Sequence, residues 1–397
     1  QKLWKIGIHD KRIITLVRQT LKAGYVEYDI LYHSNVGTPQ GGIISPLLSN
    51  VYLNDFDWYV GRQYCEPHRV CKQNDIARLR NQGKNQKYNF RYADDWIILT
   101  SKRYEAERMK RELTKYFRYR LKLELSEEKT KITDMRENGA EFLGFVIRAG
   151  KPRLADKNSE KHVGKPFSNM VKLSAKVTKV CDEIHAMKRM KHTSDRVAQI
   201  QYINSMIMGI AEYFKIGICS KAFNALDNRI YISCYYTWKR LYPDAAMRMK
   251  LPLCRLNNLP HRHEGYQAKT YAIEYQNMWI GITRACLTHS QHAKYPLNQK
   301  ITPYTAEGRS LYLRQCKRNK RLPLDRPSVN TDTDLRMSAY SNSIYNFEYF
   351  MNREYAFNRD KWKCRCCGTD LSYRQDRHCH HVNRRLPLEK INQVSNL

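Results

Sequence analysis

Apolar residues recur every three to four positions over long stretches of this chain, a spacing that predicts amphipathic helices. The pattern is clearest over residues 170–190, and a second such helix is predicted over residues 196–214. The apolar stripe of the first helix comprises Val171, Leu173, Val177, Val180, Ile184 and Met187. Near the start, residues 3–8 follow a helical pattern, and Asp10 has the character of a helix N-cap. No run of about 18 apolar residues occurs, so no transmembrane helix is expected.

The strongest strand signal lies at residues 90–99, where β-prone apolar residues flank two adjacent acids. This pattern predicts a β-hairpin with Asp94 and Asp95 at its turn. Two unpaired carboxylates between apolar strands cost stability unless a divalent cation binds there, and oxygen ligands suit Mg²⁺. The alternative interpretation is an Asp-Asp turn on an ordinary surface hairpin.

Composition narrows the function classes. The 397 residues suffice for two to four domains, and the formal net charge is +32. Residues 1–150 carry 27 basic and 18 acidic residues, whereas the remainder carries 43 basic and 20 acidic. Such an excess favours a polyanionic partner, either a nucleic acid or an anionic membrane surface. The 12 cysteines are scattered without a secretory signal, so most are expected to be reduced thiols.

The run Tyr92-Ala93-Asp94-Asp95 resembles the metal-binding motif of reverse transcriptases. Upstream, residues 37–50 match the motif that precedes it in group II intron and related bacterial enzymes. A turn rich in Pro and Gly lets backbone approach a nucleotide or template. The resemblance implies that Asp94 and Asp95 bind Mg²⁺ and act in catalysis. It also implies a nucleotide and template pocket shaped by Gly37, Pro39, Gln40, Gly41 and Gly42.

Two later segments resemble the same family. Residues 121–131 look like the next motif, in which Lys129 takes the place of a lysine near the incoming triphosphate. Residues 141–145 resemble the primer-grip turn at the edge of the palm. Without that context, the first segment would be a solvated Glu/Lys face and the second an ordinary piece of core.

The family palm also carries a third carboxylate, within an Asp-Ile-x-x-x-Phe-Asp pattern on an earlier strand, and this sequence contains no such pattern. The sequence opens inside a helical pattern without a start Met and stops inside a motif, so both ends are expected to be truncated. We therefore expect little or no polymerase activity from these residues by themselves.

Residues 151–190 are expected to begin a thumb, whose lysines face a nucleic-acid duplex. Residues 196–214 are similar to the start of domain X, the maturase segment that helps intron RNA to fold for splicing. Aromatic and basic residues then alternate, a mixture that suits structured RNA but also suits a helix core. They are Tyr231, Tyr235, Tyr236, Trp238, Lys239, Arg240 and Tyr242. The basic run at residues 317–321 indicates a linker or DNA-binding region over 291–345.

The C-terminal segment carries a Cys/His cluster after a predicted helix at residues 346–361. Cys364 and Cys367 have the C-x₂-C spacing of a zinc knuckle. Residues 378–382 together with Asn396 resemble the ββα-metal motif of HNH nucleases. That resemblance implies His381 as the general base, His380 as a metal ligand, and Asn396 as the residue that orients the base and completes the metal site. The alternatives are a structural zinc site or a degenerate remnant, and the family's second Cys pair does not follow.

We therefore expect an α+β chain: a right-hand polymerase palm with an antiparallel sheet and helices, an α-helical thumb and maturase region, and a small ββα-metal HNH module. The expected domains are fingers and palm 1–150, thumb start 151–190, domain X 191–290, linker or DNA-binding region 291–345, and truncated HNH module 346–397.

The resemblance implies an RNA-directed DNA polymerase with maturase and DNA-nicking roles in the intact protein. Its cofactors would be Mg²⁺ and, in the Cys/His module, Zn²⁺. Its partners would be group II intron RNA, target DNA and dNTPs, with no membrane partner. A homodimer and a cytoplasmic location, bacterial or organellar, are compatible with this interpretation. Two alternatives remain: an RNA-binding maturase with unused enzyme sites, and a DNA endonuclease with the polymerase region as scaffold.

Overall fold

The computed structural model describes residues 2–27, 30–32, 44–65, 74, 78–79, 81–82, 84, 87–151, 162–291, 301, 305–318, 344–371 and 377–397. The chain divides into two compact units, residues 1–143 with 147–163, and residues 144–146 with 164–397. Helices and antiparallel sheets give a mixed α+β fold, as the sequence predicts. Among the described residues, no helix is both long enough and apolar enough to cross a membrane.

The first unit begins with short helices and a hairpin. Its elements are α1 (Lys2–Lys5), α2 (Lys11–Lys22), β1 (Tyr25–Glu27), β2 (Ile30–Tyr32), α3 (Ser45–Val60), β3 (Tyr88–Tyr92), β4 (Asp95–Leu99) and α4 (Arg103–Lys115). Strand β1 pairs with β2, and β3 pairs with β4, both antiparallel. Asp10 caps α2 by accepting a hydrogen bond from the backbone N of Arg12 at 2.8 Å, which confirms the predicted N-cap.

The core of the first unit lies between α3, α4 and the π-helical turns that extend each of them. These turns are Gly61–Cys65 and Tyr116–Leu121. The buried side chains are Leu53, Phe56, Val60, Tyr64, Met109, Leu113, Phe117 and Leu121. They recur at helical spacing on each helix, so each helix buries one apolar stripe. Trp96 and Ile98 of β4 pack against this cluster, which fixes the hairpin to the helices.

Three strands follow: β5 (Ala140–Phe142), β6 (Phe145–Gly150) and β7 (Val163–Ser168). Leu143 and Gly144 connect β5 to β6 with φ values of +48° and +77°. Positive φ at both positions of a two-residue connection is the signature of a tight hairpin turn. The segment interpreted as a primer grip is therefore a turn between strands.

The second unit is mainly helical. It contains α5 (Met170–Ala186), α6 (Thr193–Phe214), α7 (Ser220–Leu241) and α8 (Pro260–His263), with strands β8 (Lys250–Pro252), β9 (Lys269–Tyr275) and β10 (Met278–Gly281). The predicted stripe is confirmed at Leu173, Val177, Val180 and Ile184 of α5 and at Met187 in the turn that follows α5, all of which are buried. Val171 was wrongly included, because it lies in the first turn with 80% of its surface exposed.

The small sheet of the second unit has the strand order β10-β9-β8, all antiparallel. Two buried amides fix its edge: Asn204 and Asn258 each donate to the carbonyl of Gly281 at 2.9 Å. Trp238 is fully buried, and its Nε1 donates to the carbonyl of Ala272 at 3.0 Å. Helices α6 and α7 are thereby joined to the sheet through polar as well as apolar contacts.

The remaining helices are α9 (Ala306–Arg318), α10 (Phe347–Arg359) and α11 (Leu388–Ile391). Helix α10 confirms the helix predicted at 346–361. Phe347 and Met351 pack with Leu259 just before α8, and Glu348 accepts a hydrogen bond from the backbone N of His261 at 3.3 Å. Among the described residues after 343 no strand forms, only an isolated bridge between Lys363 and Asp370. The ββα arrangement thus stays a prediction.

Candidate active site

The predicted hairpin is present, with both acids at its turn end. Tyr92 is the last residue of β3 and lies opposite Asp95, the first residue of β4, so Ala93 and Asp94 form the connection. Both carboxylates are exposed, and neither forms an ion pair with a cationic side chain in the part of the chain that the structure describes. The arrangement presents two neighbouring carboxylates to solvent on a rigid strand end.

The same turn contains a residue with a strained backbone. Ala93 has a φ of +54°, in the left-handed region that residues with a Cβ rarely adopt. Such outliers cost roughly 1–3 kcal/mol and persist only where surrounding contacts enforce them. The strain therefore marks a turn that the rest of the unit holds in place.

Arg91 anchors the hairpin to α3. Its Nε and Nη2 donate to the two carboxylate oxygens of Asp57 at 2.8 Å and 2.6 Å, and only 11% of the arginine side chain is exposed. This charge-assisted pair raises the pKa of Arg91 above its ordinary value. A bidentate, largely enclosed pair of this kind fixes orientation as well as charge.

The two faces of the hairpin differ in exposure. Trp96 and Ile98 face the core, whereas Tyr88, Phe90 and Tyr92 are exposed along the other face of β3. Tyr88 and Phe90 are stacked, with ring centroids 6.4 Å apart. The exposed aromatic row ends beside Asp95, so planar side chains lead directly to the carboxylates.

The two carboxylates at the turn are suitable ligands for Mg²⁺ but do not form a complete site. Asp94 and Asp95 offer oxygen ligands only, and Mg²⁺ commonly binds through one or two carboxylates while keeping several waters. Within the described residues, no group of three or more His, Cys, Asp or Glu side chains could hold a metal ion. The pair would therefore supply two ligands of such a site.

The structure describes only some of the other residues predicted for the polymerase site. The predicted pocket residues lie outside the described residues: Gly37, Pro39, Gln40, Gly41 and Gly42. Helix α3 follows them, with Pro46 in its first turn. Lys129 lies in an exposed turn, where its backbone N contacts Ser126 Oγ at 3.4 Å. Its role near a triphosphate stays a prediction.

Cys364 and Cys367 lie in one tight turn. The backbone N of Gly368 donates to the carbonyl of Cys364 at 2.8 Å, and Gly368 has a φ of +73°. Cys367 Sγ lies 3.1 Å from Thr369 Oγ1, and this hydrogen bond lowers the pKa of the Cys367 thiol to about 7. The turn offers two sulfur ligands, fewer than the four of a structural zinc site. Zinc binding stays a prediction.

The histidines of the C-terminal cluster differ in environment. His380 is exposed, whereas His381 is 7% exposed, with its ring centroid 5.4 Å from that of Tyr345 and 5.6 Å from that of Tyr349. His381 Nε2 lies 2.8 Å from Asn392 Oδ1, and its Nδ1 has no hydrogen-bond partner among the described residues. An open ring nitrogen is what a base requires, although burial restricts its access to water.

Asn392, not Asn396, contacts the predicted base. The side chain of Asn396 instead forms hydrogen bonds with backbone groups. Its Oδ1 accepts from the N of Asn383 at 2.8 Å, and its Nδ2 donates to the carbonyl of Asn383 at 3.1 Å and to that of Ile391. These contacts of Asn396 do not include His381, and its role in orienting the base stays a prediction. Sequence reasoning missed Asn392, which lies beyond a proline and has no motif of its own.

A basic surface covers α5 and α7. Arg229 joins the two helices by donating to Ser174 Oγ at 2.7 Å and Thr178 Oγ1 at 3.1 Å. The exposed basic residues on these helices include Lys172, Lys176, Lys179, Lys221, Lys239 and Arg240. Tyr235 and Tyr236 are exposed beside them, whereas Trp238 is core. We call these exposed residues the basic face.

The stretch of sequence that contains the hairpin is similar to known proteins. Residues 1–147 match the family model described as reverse transcriptase (RNA-dependent DNA polymerase). The chain is 27% identical over 297 residues to the group II intron-encoded protein LtrA of Lactococcus lactis subsp. cremoris, covering 60% of this chain and 49% of that protein. These matches support a group II intron reverse transcriptase and maturase over the stretches that they cover.

Other relatives match shorter stretches of the chain. The chain is 34% identical over 161 residues to protein YkfC of Escherichia coli K12, covering 38% of this chain and 42% of YkfC. It is 27% identical over 180 residues to a 91 kDa protein in the cob intron of Schizosaccharomyces pombe, covering 36% of this chain and 22% of that protein. The chain thus spans about half the length, or less, of these curated relatives.

Proposed function

We propose that this chain carries the catalytic carboxylates of a group II intron RNA-directed DNA polymerase, which extends a DNA primer along the intron RNA with dNTPs. The observation that carries the proposal is the exposed Asp94–Asp95 pair on a hairpin that Arg91 anchors, inside the region matching reverse transcriptases. The carboxylates would hold Mg²⁺, which when bound supplies charge stabilisation at the attacking and leaving oxygens. The aromatic face of β3 supports a nucleic-acid strand beside them.

Primer extension on an RNA template tests the polymerase. In a protein that contains these residues and extends primers, Asp94→Asn and Asp95→Asn should each lower the extension rate roughly 100-fold or more, because each replaces a charged carboxylate ligand by a neutral amide with little change in volume. Asp134→Asn is the matched control, since Asp134 is a partly buried acid of the same unit paired with Arg136. Extension that survives both hairpin substitutions would reject the assignment, and an inactive chain would favour the RNA-binding role below.

RNA binding that assists splicing is the second candidate function, and the basic face favours it. Lysines on neighbouring helices beside exposed tyrosines suit phosphates and unstacked bases of structured RNA. Replacing Lys172, Lys176 and Lys179 by Ala should weaken binding to the intron RNA and lower the salt-dependence slope by roughly two to three. A control triple variant replaces the exposed Lys11, Lys22 and Lys131 of the first unit. If both triple variants lose RNA affinity equally, the basic face has no specific role in RNA binding.

DNA nicking would rest on the C-terminal histidines. The unpartnered Nδ1 of His381 beside the exposed His380 supports this, whereas the burial of His381 counts against it. Nicking of a supercoiled target plasmid that persists in both His380→Ala and His381→Ala would exclude these residues.

A further inference from the structure

Arg91 makes contacts beyond its pair with Asp57. Its Nη1 donates to Asn50 Oδ1 at 2.8 Å and to the carbonyl oxygen of Ala93 at 2.5 Å. A single guanidinium thus joins two side chains of α3 to the backbone of the turn that carries the carboxylates. Each of its three guanidinium nitrogens donates at least one hydrogen bond.

The spacing on α3 makes this possible. Asn50 and Asp57 are seven residues apart, which is two helical turns, so both side chains lie on one face of the helix. Asn50 is also the last residue of the segment that resembles the nucleotide motif. The helix therefore carries the end of one catalytic motif and, through Arg91, holds the turn of the other.

The bond to Ala93 acts on the strained residue itself. A hydrogen bond to its carbonyl fixes the plane of the peptide that connects Ala93 to Asp94, and hence the direction in which the Asp94 side chain leaves the backbone. With a φ of +54°, this residue would relax toward negative φ if the contact were lost. Relaxation would change the separation of the two carboxylates.

We infer that Arg91 is a positioning residue for the Asp94–Asp95 pair, which holds the Ala93–Asp94 peptide in the strained conformation that a cation site requires. The inference rests on the proposed function for the identity of the site, but the contact itself does not. Lysine would not replace it, because one ammonium cannot reach three acceptors on two elements with the geometry of a planar fork. Charge alone is therefore insufficient at this position.

The test compares Arg91→Lys, Arg91→Gln and Asp57→Asn in the full chain. Lys87→Gln is the matched control. Lys87 immediately precedes β3, at the end of the strand away from the turn, and forms an ion pair with Glu105 at 3.4 Å. The first readout is hydrogen exchange of the turn amides around Asp94, which needs no bound metal. The second is Tb³⁺ luminescence sensitised by the neighbouring Tyr92 and Trp96, with Asp94→Asn as the variant that lacks the site.

We expect both Arg91 variants to speed exchange at the turn about tenfold or more and to weaken Tb³⁺ binding roughly 10- to 100-fold. Asp57→Asn should give a smaller effect of the same sign, and Lys87→Gln should give neither. Arg91→Lys with wild-type exchange would overturn the inference. If the Asp94→Asn variant binds Tb³⁺ as tightly as the wild-type protein does, the proposed metal site is rejected. The exchange measurement then still decides whether Arg91 positions the turn.

Discussion

Asn169 binds the turn at Gly144 with its backbone and caps α5 with its side chain. Its N–H donates to the Gly144 carbonyl at 3.0 Å, while its Oδ1 accepts from the N–H groups of Val171 and Lys172 at 3.1 Å and 3.2 Å. One residue therefore sets both the start of the predicted thumb helix and its attachment to the turn of the predicted primer grip.

Asn169→Ala should lower the free energy of unfolding by about 1 kcal/mol, because two N–H groups at the start of α5 lose their acceptor. Asn169→Asp keeps a side-chain acceptor and should therefore retain most of the stability that the alanine variant loses. Thermal unfolding followed by circular dichroism measures both variants. If alanine and aspartate are equally destabilising, the side-chain cap is not what holds this helix start.

Gly281→Ala should destabilise the second unit by roughly 1–3 kcal/mol. An added Cβ would lie 2.7 Å from Leu256 Cδ1 and 3.1 Å from Ala272 Cβ, both buried, so the sheet would have to shift. Gly209→Ala is the control, because its Cβ would meet nothing within 4 Å on α6. That helical substitution should stabilise by up to about 1 kcal/mol. Urea denaturation of the two variants should therefore give changes of opposite sign.

Glu348→Gln should stabilise the protein at pH 8 but not at pH 4. Burial raises the pKa of Glu348 to about 7 from an ordinary 4.5, so its contribution to stability is present below about 4.5 and is lost as the pH rises through 7. Glutamine mimics the protonated acid, and the gain at pH 8 should be on the order of 2–3 kcal/mol.

The control for that measurement is Glu264→Gln, at an exposed glutamate just after α8. His263 acts in the opposite direction, because burial lowers its pKa to about 3 and stability falls as the pH drops below about 6.5. That contribution is common to wild type and variant, so it cancels in their difference. Parallel pH profiles for wild type and Glu348→Gln would show that folding does not change the pKa of this carboxyl.

Asn392→Ala should disturb His381, whereas Asn396→Ala should not. Besides its contact with His381, Asn392 donates to the carbonyl of Ile344 at 2.8 Å and to Asn346 Oδ1 at 3.0 Å, and it is 1% exposed. Its loss leaves buried groups unpaired and should cost about 3 kcal/mol. The imidazole NMR signals of His381 provide the specific readout, and a larger shift in the Asn396 variant would restore the predicted role of Asn396.

The sequence predicted the elements whose signals are local. The hairpin at Asp94 and Asp95, the cap at Asp10 and the stripe of α5 all follow from spacing over fewer than 20 residues. Val171 was misplaced because a period alone does not tell where the apolar stripe begins within the first turn. For Trp238 the sequence leaves both RNA contact and helix core open, and its helical spacing from the buried Cys234 and Ile230 places it on the core side.

The contacts that organise the sites were not predicted, because they join residues far apart in sequence. Arg91 reaches Asn50 across 41 positions, and Asn392 reaches Asn346 across 46. One signal was available for Arg91: it alternates with the exposed Phe90 and Tyr92, which places it on the inward face of β3. The family motifs identify residues by type, and only the fold shows which polar groups hold them.

Arg262 shows that a formal charge is not always a charge available to a partner. Its guanidinium donates to Thr283 Oγ1 at 3.1 Å, and to Thr288 Oγ1 and the carbonyl of Arg284 at 2.9 Å. Because these hydrogen bonds hold the guanidinium inside the protein, Arg262 cannot also pair with a phosphate. Its charge therefore contributes nothing to the release of counterions when a nucleic acid binds. The number of ions displaced on binding should therefore follow the exposed lysines, and should fall well below the formal net charge of +32.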